Sequence, residues 1–384
     1  MIDLAELENK RWRGDPLVES IVKQLVDENR STEMNSLDLF SKLVRTTDEI
    51  PPELPERVRR YFSDTERMPD WADRSKLKIA SQVFSEYGPE IVLVLFCKSL
   101  PLSYSCWRGA EVLLRTGRLT RKDQAELKRL NRRIMETAQF VINVMQPRSF
   151  GRSGKAIRTT QKIRLIHGSI RHFLGDENWP LESHGMPINQ MDMAGTLMSF
   201  SWIIIEGLAE LGVHLNLEQR DAYVHHWNVI GHFLGLEEEL LPQSVDEAER
   251  LTSAILGSQT GPSEAGLLLS ASLVDYMATY FFIWPLRCFP AYLIRRLIGD
   301  HTADLLEIPK NACHIGAVCL HLMEKIFAFV YRVENRSPVL RRIIGFLTRQ
   351  MLQKMIRLYN EEKKIRFIIP PSLSGQWNIS ATEN

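Results

Sequence analysis

Apolar residues recur at helical spacing along most of the chain. Asp15 and Pro16 form a typical helix start, and Leu17, Ile21 and Leu25 follow at intervals of four residues. The same periodicity predicts further helices over about 72–87, 90–104, 121–145, 156–173, 190–213, 216–234, 244–257, 264–284, 287–298, 311–331 and 338–359. The pattern therefore predicts an all-α fold, a bundle of many helices that bury their apolar stripes against one another.

The helical pattern fails in two places, and these divide the chain. Four prolines (Pro51, Pro52, Pro55 and Pro69) interrupt residues 45–70. We therefore predict an N-terminal helical extension with a Pro-rich connector over residues 1–68 and a main helical domain over residues 69–362. Residues 363–384 are predicted to form a C-terminal tail, in which the β-branched run 365–369 is the one strand-like segment.

The charge balance excludes one large class of function. The 384 residues contain 48 Lys and Arg against 47 Asp and Glu, so counterion release gives no general affinity for a polyanion. We expect no nucleic-acid partner. A hydrophobic fraction of 44% and a charged fraction of 25% are typical of a folded globular protein rather than a disordered one.

Cysteine usage and the N-terminus both favour a cytoplasmic protein. Five cysteines are few and odd in number, as expected for reduced thiols, and residues 1–13 mix charges with apolar residues rather than forming a secretory signal. The most apolar stretch, 266–294, contains Asp275, Pro285, Arg287 and Pro290 and is too interrupted for a spanning helix. We expect buried helices there, with peripheral membrane contact through the aromatic and basic segment 264–298.

Several enzyme signatures are absent from the sequence. Gly151, Gly154 and Lys155 suggest a phosphate-binding loop, but that motif requires Gly in place of Ser149 and Ser or Thr in place of Ala156. The sequence contains neither a Gly-x-Ser-x-Gly elbow nor a His-Glu-x-x-His pair. These patterns do not favour a P-loop enzyme, a serine hydrolase or a zinc peptidase.

Two groups of potential metal ligands lie on predicted helices. The first group comprises Cys313, His314, Cys319 and His321, which do not converge because Cys313 and Cys319 differ by about 240° around a helix. In the second group, His225 and His232 share a face beside Trp227, without a third ligand at suitable spacing. Buried packing and an aromatic helix are the favoured interpretations.

A third histidine has cationic neighbours. Arg164, His167 and Arg171 are spaced i, i+3, i+7 and so project from one side of a predicted helix. Such a face suits a flat anionic cofactor, because imidazole binds iron while guanidinium groups reach carboxylates at the cofactor's rim. Gly168 lets a bulky group approach the backbone. Taken alone, the pattern also fits a hydrogen-bonded core histidine.

A second predicted helix offers a comparable face. Arg133, Glu136 and Thr137 are spaced i, i+3, i+4, which brings a cation, a carboxylate and a hydroxyl together on an otherwise apolar segment. The alternative is a surface stripe in which Glu136 pairs with a neighbouring arginine. Periodicity does not distinguish these interpretations.

Several sequence blocks, in this order, resemble one known family. The blocks are Pro69-Asp-Trp71, Phe84-x-x-Tyr87-Gly88, Ser99-Leu-Pro-Leu-Ser-Tyr104, Leu114-Arg-Thr-Gly-Arg-Leu119, Arg133-x-x-Glu-Thr137, Arg164-Leu-Ile-His167-x-x-x-Arg171, Pro187-Ile-Asn-Gln-x-Asp192-x-x-x-Thr196 and Trp227-Asn-Val-Ile-Gly-His-Phe-Leu-Gly-Leu236. Together they resemble the rubber oxygenase (latex-clearing protein) and mpaB-type oxygenase family over about residues 69–300. Several blocks in the right order are far more specific than any single one.

The resemblance implies an all-α protein with a globin-like core that binds one haem b non-covalently. His167 falls where the family has its iron ligand, and Arg133 and Thr137 match a motif on the opposite side of the pocket. Arg171 and Thr196 match further positions near the haem. Characterised members cleave an isoprenoid carbon–carbon double bond with dioxygen, so a hydrophobic substrate and dioxygen are the partners that the resemblance implies.

The chain also departs from the rubber-degrading members. Those enzymes have a Lys where this chain has Glu136, so the distal chemistry differs or Glu136 itself is the acid/base. Without a secretory signal, a small isoprenoid or lipid is a better expectation than polymeric rubber. Met191, Met198, Phe200 and Trp202 are candidates for an apolar lining, with ordinary helix packing as the alternative.

Two other functions remain open at this stage. The first is a haem protein that senses or carries a ligand without turnover, and the second is a haem-free helical lipid-binding protein. One architecture can host several activities, so the resemblance does not choose among them. The sequence also leaves the oligomeric state open.

Overall fold

The computed structural model of the protein describes residues 3–29, 54–116, 136–151, 154–175, 179–279 and 287–310, together with 316–319, 321–322 and 325. Within these ranges all regular structure is helical, and the one β-type contact is an isolated bridge between Cys106 and Thr260. The predicted all-α fold is confirmed. The predicted strand-like run 365–369 and the helices predicted over 338–359 lie outside the described residues.

The first part of the chain forms helices α1 (Leu4–Asn9), α2 (Pro16–Asn29), α3 (Glu56–Asp64), α4 (Arg74–Val94), α5 (Leu100–Ser105), α6 (Trp107–Arg115), α7 (136–145 as described) and α8 (Ala156–Gly175). The later part forms α9 (Leu181–His184), α10 (Gln190–Phe200), α11 (Trp202–Glu210), α12 (Leu217–Leu234), α13 (Val245–Gln259), α14 (Glu264–Ala278), α15 (Phe289–Ile298) and α16 (Asp300–Leu305). Short 3₁₀ turns cover Lys10–Trp12 and Glu238–Leu240, and a π-helical turn covers Leu95–Ser99.

Local sequence explains where many of these helices begin and end. At the start of α12, Asn216 and Gln219 form a capping box, and Gly235 ends the helix in the left-handed conformation at φ 85°. The side chains of Asn189, Ser244 and Ser263 cap α10, α13 and α14 by accepting a backbone N–H. These caps satisfy amides that would otherwise lack a partner inside the fold.

Two predicted boundaries differ from the structure. The segments predicted over 72–87 and 90–104 are joined, because α4 continues through a kink at Tyr87, next to Pro89, into the π-helical turn. The segment predicted over 190–213 is instead divided at Ser201, which has φ −106° and ψ −94° and separates α10 from α11.

The core forms around α12. This helix packs against α4, α8, α10 and α13, and it buries Tyr223, His226, Trp227 and Ile230 almost completely. Because α12 contacts other helices on several sides, its apolar residues are distributed around the helix rather than confined to one stripe.

A smaller apolar cluster joins the N-terminal helices to the main body. Val18, Val22 and Leu25 of α2 and Phe62 of α3 pack with Leu165 of α8. The predicted N-terminal extension is thus in direct contact with the main domain. The boundaries predicted at residues 68 and 362 stay predictions, and the C-terminal tail lies outside the described residues.

The cysteines differ in one respect from expectation. Cys97, Cys106 and Cys319 are free thiols, but Cys288 is disulfide-bonded, so the expectation that all five cysteines are reduced is wrong for Cys288. Among the described helices, none is both long and apolar enough to cross a membrane.

Candidate functional site

Helix α8 presents His167 from the face that points into the protein. Its half-buried side chain lies one turn before Ile170 and two turns before Leu174, and these two residues pack against Val112 and Trp179. At about 100° per residue, His167 is about 60° from Arg164 and about 40° from Arg171 around the helix axis. The structure therefore brings the three predicted residues onto one side of α8, where Arg171 is buried and Arg164 and His167 are half-buried.

Arg164 is held by a carboxylate that the sequence analysis did not identify. Its Nε and Nη2 atoms donate to the two carboxylate oxygens of Asp15, at 2.5 Å and 2.9 Å. Burial lowers the pKa of Arg164, but the hydrogen bonds and charge of Asp15 outweigh this effect, so the pKa is raised. Asp15 was predicted to begin α2; in the structure its buried side chain also connects α2 to α8.

Arg171 has a similar environment with one difference. Its Nε atom lies 2.8 Å from Oε1 of Glu19, and its Nη1 donates to the carbonyl of Ile188 at 2.8 Å. Its Nη2 is buried and forms no hydrogen bond with the described residues. Burial lowers the pKa of Arg171, and the charges of Glu19 and Asp15 oppose the shift. A buried guanidinium with an unused donor is a favourable contact for an anionic group.

Gly168 makes room for a protein side chain rather than for a cofactor. A Cβ atom at this position would lie 2.8 Å from Cγ2 of Val18, so the close approach predicted at Gly168 is that of α2. This contact assigns one side of α8 to α2 and leaves His167 at the edge of that interface. The spacing pattern predicted the close approach but not the identity of the approaching group.

The second predicted face is partly described. Glu136 and Thr137 are half-buried on α7, and Arg133 lies outside the described residues. Helix α7 contacts α8 through a hydrogen bond from Asn143 Nδ2 to Thr159 Oγ1 at 3.3 Å. It contacts α10 through an edge-on pair between Phe140 and Phe200. Helix α7 is therefore close in space to both α8 and α10.

Aromatic rings continue this region into the core. Phe200 stacks on Trp227 with ring centroids 5.0 Å apart, and Phe140 lies 6.3 Å from both rings. Trp202 is half-buried like Phe200, whereas Met191 and Met198 are fully buried. The two methionines are therefore core residues, and of the four candidate lining residues Phe200 is the one in contact with α7.

Thr196 is the exposed member of α10. Its Oγ1 donates to the backbone carbonyl of Asp192 at 2.8 Å, and its side chain is exposed to solvent. The expectation that Thr196 lies near a cofactor stays a prediction.

Asp192 is an ionisable residue to which the sequence analysis assigned no role. Its Oδ2 accepts a hydrogen bond from Asn189 at 2.8 Å, and Gly109 gives its carboxyl group room against α6. Burial raises its pKa to about 7, while the charges of Arg11 and Arg108 oppose the shift. A carboxyl that titrates near neutrality is a feature of many active sites, and burial cannot be read from spacing.

The histidines of α12 have structural partners. His226 is fully buried and donates from Nε2 to the carbonyl of Val144 at 2.9 Å, and burial lowers its pKa to about 4. His225 and His232 lie edge-on against the ring of Trp71, as expected for an aromatic helix. Within the described part of the chain, no group of three His, Cys, Asp or Glu residues could hold a metal ion. His314 and Cys313 lie outside it.

Known proteins resemble this chain in sequence and in fold. A family model described as "ER-bound oxygenase mpaB/B'/Rubber oxygenase, catalytic domain" matches residues 102–357. The Rubber oxygenase of Streptomyces sp. (strain K30) is 25% identical over 267 residues, which are 69% of this chain and 63% of that protein. The chain thus matches just under two thirds of the length of this curated relative. A solved structure of Latex Clearing Protein LCP in the closed state has a TM-score of 0.66 at 20% identity, covering 94% of this chain and 91% of the other, which is a likeness of fold.

Proposed function

Because the chain belongs to the ER-bound oxygenase mpaB/B'/Rubber oxygenase family, we propose that it is a haem b-dependent oxygenase. In this proposal it oxidises or cleaves a carbon–carbon double bond of a small hydrophobic substrate, an isoprenoid or an unsaturated lipid, with dioxygen. The observation that carries the proposal is the environment of α8, where a half-buried His167 lies beside a buried guanidinium with an unused donor. Both features lie within the residues matched by the family model.

The residues present fit a haem. A haem needs one protein ligand in addition to its porphyrin, and His167 is the candidate for that bond. Arg171 Nη2 is a buried donor without an acceptor among the described residues, which suits a propionate at the rim. Arg164 donates to Asp15 from Nε and Nη2, so its role in the proposal is to hold α8 in place. Thr196 is proposed as a further residue at the rim.

In the proposal, α7 and the residues just before it form the opposite side of the pocket. When bound, haem b supplies the iron at which dioxygen is activated. In our proposal Arg133 and Thr137 donate hydrogen bonds toward the reacting oxygen atoms, and Glu136 holds or accepts a proton at its carboxylate. Phe140 and Phe200 exclude water from the same region and offer an apolar surface to a prenyl or acyl chain.

Haem content is the first test of the proposal. The purified protein, expressed with a haem precursor, should show an intense Soret band and about one haem b per chain by pyridine extraction. His167→Ala should lose the haem while retaining its helical circular dichroism. His172→Ala is the matched control, since it makes the same change on the same helix and should retain the haem. Unchanged haem content in His167→Ala would refute the ligand assignment.

Turnover distinguishes the proposed activity from its alternatives. The haem-loaded protein should consume dioxygen in the presence of prenyl lipids and yield carbonyl products. Haem without any dioxygen-dependent product would instead indicate a sensor or carrier. A colourless protein that does not take up haemin would indicate a haem-free lipid-binding protein.

We also propose that the protein contacts a membrane surface through residues 264–298. The aromatic and basic content of this segment supports the proposal. Flotation with liposomes that contain anionic lipid tests it, and complete recovery in the lipid-free fraction would contradict it.

A further inference from the structure

The N-terminal segment of residues 10–19, here called the clasp, is attached to the main body by charges and backbone hydrogen bonds. Lys10 is buried and pairs with Glu237 at 2.5 Å and with Glu239. The backbone carbonyl of Arg11 accepts from Met186 N, and that of Arg13 accepts from Gln190 N, both at 2.9 Å. Contacts with backbone atoms fix the position of the clasp more strictly than side-chain packing alone, because backbone donors have little freedom to move.

Gln190 connects the clasp to two further segments. Its side-chain amide donates to the carbonyls of Gly14 and Gly235 at 2.8 Å and 2.9 Å, and its Oε1 accepts from the backbone N–H of Glu237. One fully buried side chain thus joins the clasp, the start of α10 and the end of α12. A buried amide with its partners satisfied specifies a single arrangement of the segments that it connects.

The last residues of the clasp pair with arginines of α8. Asp15 forms its paired hydrogen bonds with Arg164, and Glu19, one turn later on α2, pairs with Arg171. Asp15 is 3% exposed, and the side chain of Arg171 is 2% exposed. His167 lies between the two arginines on α8, three residues after one and four before the other.

Two ion pairs about two turns apart prevent a helix from rotating about its axis or sliding along it. The second pair matters because a single pair leaves rotation about the contact free. Val18 adds a steric stop, since it occupies the space beside Gly168 between the two pairs. The direction of His167 is therefore determined by contacts that α8 makes with the clasp and α2.

We propose that Asp15 and Glu19 are positioning residues for His167: they hold Arg164 and Arg171 so that α8 presents His167 and the unused Arg171 donor to the cofactor pocket. This inference rests on the proposed haem function. The clasp lies before residue 102, where the match to the family model begins, yet it contacts three of the blocks that carry the family resemblance. It would thus be a necessary part of the site that the catalytic-domain match does not include.

The first experiment uses the full chain without haem, so its result does not depend on cofactor binding. Asp15→Asn and Glu19→Gln remove the negative charges at nearly constant shape. Amide hydrogen exchange of residues 164–171 should accelerate at least tenfold in Asp15→Asn, because local opening of α8 no longer breaks a charged pair. Asp27→Asn, the same change at an exposed site on α2, is the matched control and should exchange like the wild type.

Glu19→Gln provides a second test in case Asp15→Asn does not fold. The Glu19 side chain is 31% exposed, so this variant should remain folded and show a smaller acceleration centred on Arg171. Exchange in α8 that is the same in Asp15→Asn, Glu19→Gln and Asp27→Asn would overturn the proposal.

The second experiment separates positioning from simple stabilisation. Haemin titration of the folded variants should give a Kd at least tenfold higher for Asp15→Asn than for Asp27→Asn. The electron paramagnetic resonance spectrum of the loaded fraction should also change, because a rotated imidazole alters the field at the iron. A smaller loaded fraction with the wild-type spectrum would show a structural role and overturn the positioning role. A wild-type protein that binds no haemin would refute the haem assignment, and the exchange data alone would then decide whether the clasp holds α8.

Discussion

Gly168 and Val18 meet where α8 crosses α2, with no room for one more carbon atom. A Cβ on Gly168 would lie 2.8 Å from Cγ2 and 3.1 Å from Cβ of Val18. The residue next to His167 is thus a glycine because α2 packs against it. Packing against α2 is sufficient to explain the glycine at this position.

Gly168→Ala should therefore destabilise the protein by about 1–3 kcal/mol, because α2 must shift to relieve the overlap. The free energy of unfolding from urea titration measures this change. Gly257→Ala on α13 is the matched control, since no described atom lies within 4 Å of the added carbon. The control should be stabilised by about 0.5–1 kcal/mol, as for Gly to Ala in a helix. A stable Gly168→Ala would mean that the α2–α8 contact is looser than described.

Gly235 is constrained by both its backbone and its surroundings. It has φ 85°, and a Cβ there would overlap the ion pair between Asp15 and Arg164. Gly212 has nearly the same φ, 83°, but no described atom within 4 Å of its Cβ position.

We expect Gly212→Ala to cost about 1–2 kcal/mol for the left-handed backbone alone. Gly235→Ala should cost about 1–3 kcal/mol more, because it also displaces the ion pair. Equal losses in the two variants, measured by urea unfolding, would show that the pair moves aside without cost.

The buried carboxyl of Asp192 should make stability depend on pH. Burial raises its pKa from 3.8 to about 7 in the folded protein, so between about pH 4 and pH 7 the folded state holds a proton that the unfolded state releases. The free energy of unfolding therefore decreases as pH rises through this window, by at most about 4 kcal/mol.

Asp192→Asn should remove this slope, leaving the variant more stable than the wild type at pH 8 but not at pH 4. Urea unfolding at several pH values measures both curves. Asp275→Asn, at an exposed position on α14, should retain the wild-type slope. An unchanged slope in Asp192→Asn would assign the pH dependence to other groups.

In the proposed function, Glu136 is the acid/base of the reaction. Glu136→Gln should lower kcat for dioxygen-dependent turnover at least about 100-fold, within the range for loss of a general acid or base. Its haem content should stay that of the wild type. Glu249→Gln, an exposed carboxylate on α13, is the control for the loss of one charge. Full activity of Glu136→Gln would exclude the role.

Local sequence was sufficient for most elements of the fold. The start of α2 at Pro16 and the ends of α12 follow from caps and periodicity, which act between residues close in the chain. The predicted helix boundaries were wrong where tertiary packing, rather than local sequence, sets them. The kink at Tyr87 and the break at Ser201 lie inside apolar runs whose periodicity is continuous.

Patterns in the sequence were enough to predict that the protein is all-α, that Arg164, His167 and Arg171 share one side of a helix, and that Gly168 admits a close neighbour. Spacing along one helix fixes these relations because side chains follow the backbone rotation. Tertiary packing alone supplies Val18 as that neighbour, pairs Asp15 and Glu19 with the two arginines, and raises the pKa of the Asp192 carboxyl. The contact between Glu19 and Arg171 joins residues 152 positions apart, and no local pattern encodes a pairing that depends on how helices pack together.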